Sequence, residues 1–483
     1  MKGKYVKAFK WSIIQQFLTQ ILNYGSILFL AYLVDPGYHG LITLASLPAL
    51  LINSVGSLGI RELLTTQKEI TNEEKQGYLS FVLFLGFLLF LLSSILSILT
   101  AFFYENQYSF YDFMKLGIII SIISPLSVIN NYFEAFQSRE LNFKGLGIIT
   151  IISISIGSVI SVIFAYFGFY IAALIIKLVL PHFLIFLLYL LFFKPSLALK
   201  WTPEIYLKIK SYSLFYTLNS ILNYFVRNID NIIIGKAFSP EILGQYSIAY
   251  KILLFPMKNI SSRIHAVSMP ILSKMDYNSV EFRNRFFMIM GFISLVTLPI
   301  MGLLAITAND WVKLTFNNKY THIVEMIQIL SIVGAFQSIL SPIGSLYLIK
   351  KETKLMFFNS LISSIIVSLV FIVSSFSGDI SLVLISYAFS WILIIQLITI
   401  YPIFKIYKIS ILIYFKTILP SIVSTIFSVL LCMVFQFFFT NSIAWISIII
   451  QFFIFISTFF VLFHLFTKKA TLNYKTYLTL FNK

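Results

Sequence analysis

The chain has 483 residues, of which 59% are hydrophobic and only 11% are charged, and its mean hydropathy is +0.93. A soluble domain is on average about a quarter charged, so these values exclude a soluble enzyme, a secreted disulfide scaffold and a disordered chain. Apolar runs of about 20 residues, the length that crosses a bilayer as a helix, recur along the whole sequence and predict an all-α polytopic membrane protein. The one cysteine, Cys432, lies inside such a run. We therefore expect no intrachain disulfide and no cysteine-based metal site. We also predict no cofactor.

Fourteen apolar runs, separated by polar breaks, are predicted to be transmembrane helices. The first follows four lysines and is longer than the core of a signal peptide, so we predict a retained helix. The eighth run is polar enough to be doubtful on hydropathy alone. In chain order the predicted spans are 11–34, 41–59, 78–101, 115–136, 146–167, 171–193, 211–235, 245–266, 286–308, 323–348, 355–375, 381–403, 411–438 and 443–466.

Basic residues set the predicted orientation. If the N-terminus is cytoplasmic, 26 of the 35 Lys and Arg residues fall in inside segments, 4 in outside loops and 5 within helices. The positive-inside rule requires such a bias, and the bias supports the eighth run as a span, because without it every later loop would change sides. We therefore predict cytoplasmic N- and C-termini. The net charge of +17 then reflects topology, with anionic membrane lipids rather than nucleic acid as the partner.

A motif in the first span recurs in the seventh. The tetrapeptide Ile-Leu-Asn-Tyr at 21–24 is repeated at 221–224, and each copy precedes a short turn with a proline and a glycine, at 35–40 and 239–244. Six helices separate the copies, so the two halves have the same orientation and are related by a pseudo-two-fold axis along the membrane normal. The predicted domains are 1–204, a first six-helix lobe, 205–408, a second six-helix lobe, and 409–483, two appended C-terminal helices and a cytoplasmic tail.

Five cations lie inside predicted helices, where lipid is the default surrounding. A cation at a helix centre costs about 2.5–3.5 kcal/mol, so five of them facing lipid would cost roughly 12–17 kcal/mol, which is comparable to the stability of a whole protein. Most of them must therefore face protein or water. These residues are Lys177, Arg227, Lys251, Lys258 and Arg263, and the nearby carboxylates are Asp230, Glu134 and Glu325.

The spacing of Lys251, Lys258 and His265 places them on one face of the eighth helix, because successive members are seven residues, or about two turns, apart. Pro256, in the middle, is expected to kink this helix and leave a backbone carbonyl free. A water-filled cavity lined by cations suits an anionic substrate such as phosphate or pyrophosphate. A transporter for cationic drugs would instead present carboxylates to its cavity.

The same charged residues can also have purely structural roles. Arg227 and Asp230 stand at i and i+3 and can form a buried pair. The Lys177 side chain can reach the membrane surface along its helix. An interfacial position is equally compatible with the pattern for Arg263, His265, Glu134 and Glu325.

Two segments carry a resemblance to a known family. Residues 33–40 (Leu-Val-Asp-Pro-Gly-Tyr-His-Gly) resemble the first turn of bacterial polysaccharide flippases. Residues 227–236 (Arg-Asn-Ile-Asp-Asn-Ile-Ile-Ile-Gly-Lys), followed by 243–251 and Pro256, resemble the seventh and eighth helices of the same lipid-linked oligosaccharide flippase family. This family is part of the multidrug/oligosaccharidyl-lipid/polysaccharide exporter superfamily.

The resemblance implies a transporter, not an enzyme, that flips an undecaprenyl-pyrophosphate-linked oligosaccharide to the outer leaflet of the bacterial inner membrane. Two lobes would enclose a cationic cavity that opens alternately to either side, for lipopolysaccharide, capsule or exopolysaccharide biosynthesis. A polysaccharide polymerase and glycosyltransferases are implied as partners. By the same analogy the substrate-binding residues are Arg227, Lys251, Lys258, Lys177 and Arg263, and the ion-coupling candidates are Asp230 and Glu134.

Two alternative functions are considered. A multidrug or small-ion antiporter of the same superfamily would line its cavity with carboxylates. A membrane polysaccharide polymerase or ligase, which is a different class, would need a large outer loop with arginines and a general base, and no predicted outside loop contains an arginine. The five histidines are scattered without metal-ligand spacing. The flippase is therefore the function we predict.

Overall fold

The computed structural model describes residues 2–56, 60–67, 70–193, 200, 203–261, 264, 272–316, 319–408, 410–439 and 443–469. These residues form helices joined by short connections, with no strand in any of the ranges just given. Twelve helical segments within them are long and apolar enough to cross a membrane. The described parts of the two other predicted spans, the seventh and eighth, are helical but more polar. The predicted all-α polytopic fold of about fourteen long helices is confirmed, and twelve of the described helical segments are candidate membrane spans.

The chain forms two compact units, Met1–Gly244 and Gln245–Lys483. The predicted lobes at 1–204 and 205–408 describe the sequence repeat rather than these packing units, and they stay a prediction. The helices of the first unit are α1 Lys2–Leu33, α2 Pro36–Gly56, α3 Ile60–Thr66, α4 Asn72–Phe103, α5 Phe110–Ser121, α6 Ile123–Arg139, α7 Phe143–Tyr166, α8 Tyr170–Phe193 and α9 Pro203–Ala237. Helix α10, Pro240–Pro256, begins in this unit and continues into the second.

Within its described residues, the second unit has two π-helical segments among its α-helices. Its elements after α10 are the π-helix Met257–Ser261, α11 Val280–Thr315, α12 Ile323–Leu340, α13 Ile343–Ile349, α14 Thr353–Ser375, α15 Ile380–Phe389, the π-helix Ser390–Ile395, α16 Gln396–Ile406, α17 Ile411–Phe438 and α18 Ala444–Lys469. The appended helices α17 and α18 pack against α11. At this contact a Cβ on Gly302 would lie 2.6 Å from the Thr425 methyl group, so the absence of a side chain allows the close approach.

Helix boundaries follow the local chemistry of the chain. The Thr71 hydroxyl accepts a hydrogen bond from the Glu74 backbone N–H while the Glu74 carboxylate accepts one from the Thr71 N–H, which forms a capping box at the start of α4. The α-helical pattern of α10 ends at Pro256, and a π-helix follows directly. Proline removes one backbone hydrogen-bond donor. The change from α-helix to π-helix therefore occurs at the residue where the sequence predicted a kink in the eighth helix.

The repeat is visible in the backbone of two turns. Leu141 and Lys351 have φ of 58° and 59°, and Gly168 and Gly378 have φ of 85° and 69°. Both pairs are separated by 210 positions. A positive φ is uncommon for residues other than glycine, so its recurrence at one offset is a specific signature of duplication.

Hydrogen bonds in the first of these turns repeat as well. The Asn142 N–H donates to the Gln137 carbonyl at 2.9 Å, and the Glu352 N–H donates to the Tyr347 carbonyl at 2.8 Å. Both bonds span five residues and close a helix that is followed at once by another. The internal duplication inferred from the first and seventh helices therefore extends to the ends of α6 and α13.

Candidate functional site

The two copies of the proline-glycine turn contact each other within the first unit. A Cβ built on Gly40 would overlap the Pro240 carbonyl oxygen, and one built on Gly244 would overlap the Pro36 carbonyl oxygen. The same Cβ positions lie 3.1 and 3.0 Å from the backbone nitrogen of the opposite glycine. Reciprocal contacts of this kind are typical of a local two-fold axis. The two turns start α2 and α10, so they fix where both helices begin.

Arg227, on α9, has an exposed side chain. It forms no hydrogen bond or ion pair with any part of the chain that the structure describes. Asp230 is buried, with 6% of its surface exposed, and its Oδ1 accepts the Asn231 backbone N–H at 2.8 Å. The open alternative of an Arg227–Asp230 pair is therefore not realised. Helix α9 itself is anchored to α2, because the buried Tyr224 hydroxyl donates to the Leu47 carbonyl at 2.8 Å.

Lys251, on α10, also has an exposed side chain. No hydrogen bond or ion pair joins it to a described residue. It lies seven residues, or about two helical turns, after Gly244. The proline-glycine turn that starts α10 therefore fixes how far along this helix Lys251 lies. The Lys258 side chain, and Arg263 and His265 entirely, lie outside the described residues.

Lys177, on α8, is held inside the first unit. Its Nζ donates to the Ser158 hydroxyl of α7 at 2.8 Å and to the Asn23 side-chain carbonyl of α1 at 3.2 Å. The ammonium group thus joins α8 to two other helices, α1 and α7, rather than extending to the membrane surface, which was the alternative interpretation. Both of these partners are neutral side chains.

Replacing Lys177 by methionine is expected to lower the free energy of unfolding by about 1–3 kcal/mol, because buried hydrogen-bonding groups lose their partner. Thermal unfolding of the purified protein measures this change. Lys115→Met removes an exposed lysine from α5 and is the matched control, expected to change stability by less than about 0.5 kcal/mol. Equal midpoints for the two variants would contradict the structural role of Lys177.

Glu134, on α6, pairs with a residue that the sequence alone did not connect to it. Its Oε2 lies 2.9 Å from Arg61 Nη1, on the short helix α3. Arg139 Nη1 also donates to the Leu64 carbonyl at 2.6 Å, so two contacts fasten α3 to α6. The residues of α3 were predicted as part of an inside loop. Glu134 as an ion-coupling residue stays a prediction.

Asp310 is a polar residue that sequence reasoning missed. The ninth span was predicted to end at 308, with Asp310 in an outside loop, and this boundary is wrong because α11 continues to Thr315. Asp310 is buried, and its Oδ2 accepts hydrogen bonds from Ser447 Oγ at 2.7 Å and Gln451 Nε2 at 2.8 Å. By hydropathy, a carboxylate beside the end of an apolar run indicates a loop. The partners on α18 that stabilise the buried carboxylate are distant in sequence, so the sequence alone does not reveal them.

The comparisons with known proteins agree with this architecture. The profile of a family described as "Polysaccharide biosynthesis protein" matches residues 29–325. An uncharacterized membrane protein in the cps region of Klebsiella pneumoniae is 26% identical over 368 residues, which cover 74% of this chain and 73% of that protein. The lipopolysaccharide biosynthesis protein WzxC of Escherichia coli (strain K12) is 22% identical over 363 residues, with coverages of 74% and 72%.

A solved structure has the same fold. The lipid II flippase MurJ, in an inward closed conformation, matches with a TM-score of 0.74 at 16% sequence identity, and the match covers 96% of this chain and 100% of that one. At this identity the likeness establishes the fold alone. The family profile, by contrast, covers more than half of the sequence. The chain is a multi-pass membrane protein and belongs to the polysaccharide biosynthesis protein family.

Proposed function

We propose that this protein flips an undecaprenyl-pyrophosphate-linked oligosaccharide from the cytoplasmic to the outer leaflet for surface polysaccharide biosynthesis. The headgroup and sugars cross through a cationic central cavity that opens alternately to either side, while the lipid tail stays in the bilayer. No covalent chemistry is required, so the protein acts as a transporter and not as an enzyme. Support comes from the family, from relatives named for polysaccharide biosynthesis, and from the fold shared with a lipid II flippase.

The observation that carries the proposal is the exposure of Arg227 and Lys251 without a carboxylate partner among the described residues. Each is a cation on a predicted transmembrane helix, each is exposed, and neither is neutralised by a carboxylate within the described ranges. An unpaired cation facing hydrocarbon costs several kcal/mol, so both side chains face water or a ligand. A pyrophosphate supplies anionic oxygens that Arg and Lys bind well.

Other residues have supporting parts in this proposal. Lys177, Lys258 of the eighth-helix stripe, and Arg263 bind the acidic headgroup together with Arg227 and Lys251. Asp230 or Glu134 takes up a proton or sodium ion and links its gradient to transport.

The cellular setting is part of the same proposal. The protein spans the bacterial inner membrane with both termini in the cytoplasm, as the distribution of Lys and Arg requires. Glycosyltransferases supply the lipid-linked oligosaccharide on the cytoplasmic side, and a polysaccharide polymerase consumes it on the outer side.

Reconstitution tests the function directly. The purified protein is placed in vesicles that contain polyprenyl-pyrophosphate-linked oligosaccharide, and a membrane-impermeant reagent modifies the sugars exposed outside. Without protein only the outer-leaflet pool reacts. With protein the inner pool is expected to become reactive as well, while a fluorescent cationic drug trapped inside is retained. Release of the drug without exposure of the inner sugars would favour the antiporter instead.

A further inference from the structure

Asp310 forms the centre of a buried polar cluster in the second unit. Its carboxylate is 8% exposed and accepts from Ser447 Oγ and Gln451 Nε2. The cluster continues to α17, because Gln436 Nε2 donates to Gln451 Oε1 at 3.1 Å and to the Ile306 carbonyl at 2.9 Å. Three helices, α11, α17 and α18, therefore bring several oxygen atoms to one buried place.

No cation neutralises this carboxylate in the part of the chain that the structure describes. No Lys, Arg or His nitrogen lies within 4.0 Å of it. Lys313, three residues later on α11, is exposed, as is Glu325 on α12, the neighbouring helix. The charged groups of the appended helices lie toward their opposite ends, at Lys416 on α17 and at His464, Lys468 and Lys469 on α18.

A buried carboxylate with only neutral partners is costly as an anion, and proteins pair such a group, bind a cation to it or protonate it. The hydroxyl and amide donors reduce this cost, and the first turns of α18, where Ser447 and Gln451 lie, favour a negative charge. The cluster also contains oxygen atoms of the kind that hard cations prefer, on the Asp310 carboxylate, the Ser447 hydroxyl and the Gln451 amide. Gln451 Oε1 and the Ile306 carbonyl already accept hydrogen bonds from Gln436 Nε2, so a bound cation would use their second lone pairs.

We propose that Asp310, Gln436, Ser447 and Gln451 form a binding site for a monovalent cation, a sodium ion or a proton. The site joins α11, which lies entirely within the family profile, to α17 and α18, which lie beyond it. Binding of the cation neutralises Asp310 and stabilises the packing of the appended helices on α11. A role for this site in driving export rests on the proposed function, whereas cation binding does not.

The test uses the purified full-length protein and needs no oligosaccharide, so its result is independent of the flippase proposal. The unfolding midpoint is measured in sodium chloride and in choline chloride at equal ionic strength, and again as the pH falls from about 8 to about 5. Asp310→Asn removes the charge but keeps an acceptor for Ser447 and Gln451. Glu325→Gln removes an exposed carboxylate from α12 and is the matched control.

If the site binds sodium, the wild-type midpoint rises by about 2 °C or more in sodium chloride, the control shows the same rise, and Asp310→Asn shows none. If it binds a proton, sodium has no effect, and the wild type and control gain stability as the pH falls while Asp310→Asn does not. Should Asp310→Asn fail to fold, Ser447→Ala replaces it and is expected to weaken the response. Sodium independence together with the same pH dependence in all variants would overturn the proposal and leave Asp310 as a structural contact to α18.

Discussion

Gly244→Ala and Gly40→Ala are each expected to destabilise the protein by about 1–3 kcal/mol and to abolish most surface polysaccharide. A methyl group on either glycine would occupy the position of a carbonyl oxygen in the opposite turn, at Pro36 for Gly244 and at Pro240 for Gly40. The clashing atoms belong to the backbone, so no side-chain rotation relieves the overlap. The turns must separate, and the helices α2 and α10 that start there must shift with them.

Thermal unfolding of the purified variants measures the effect, and Gly25→Ala is the matched control. Gly25 lies inside α1, and a Cβ there would meet no atom within 4 Å. Alanine is favoured over glycine inside a helix by about 1 kcal/mol, so the control is expected to be neutral or slightly stabilised. A Gly244→Ala midpoint as high as that of the control would show that the turns do not depend on this close approach.

The double variant tests whether the two glycines share one contact. Once the first methyl group has separated the turns, the second meets less resistance, so the combined loss is expected to be smaller than the sum of the single losses. Fully additive losses would mean that the two turns respond independently. Such a result would contradict the reciprocal packing of Gly40 and Gly244.

Hydropathy and charge predicted the fold well because both act over whole helices. Runs of apolar residues are visible in any window of sequence, and the repeated turns at 35–40 and 239–244 are marked by proline and glycine. The later part of the repeat was missed at Leu141 and Lys351, which adopt a positive φ without the glycine that usually signals it. The helix ends are duplicated there in geometry but not in residue type.

The polar contacts of the candidate residues were less predictable. Lys177 was recognised as a cation within a predicted span, with contact to protein and extension to the membrane surface both left open. Its partners Asn23 and Ser158 lie on other helices and are uncharged, so the sequence does not identify them. Glu134 forms an ion pair with Arg61, which lies on a short helix that hydropathy assigned to a loop. A charged residue in an apolar span can be recognised from the sequence because burying its charge is costly. Its partner cannot be recognised in this way, because helix packing decides which residue lies beside it.

Arg227→Gln and Lys251→Gln are expected to reduce export of the lipid-linked oligosaccharide by roughly ten-fold or more each. Losing a hydrogen bond to a charged group costs about 1.5–3 kcal/mol, and each 1.4 kcal/mol corresponds to a factor of ten. Stability is expected to change by less than about 0.5 kcal/mol, because neither side chain has a hydrogen-bond or ion-pair partner within the described ranges that its removal would leave unpaired. Exposure of labelled sugar in vesicles measures export, and thermal unfolding confirms the fold.

Arg227→Lys separates charge from geometry at this position. Lysine keeps the positive charge but loses the planar fork that binds two phosphate oxygens together, so export is expected to fall between the wild-type and Arg227→Gln values. Lys313→Gln, which removes an exposed lysine near the end of α11, controls for a general loss of positive charge and is expected to export normally. If Arg227→Gln and Lys251→Gln both export as well as Lys313→Gln, the exposed cations do not bind the headgroup, and the cargo must be recognised elsewhere.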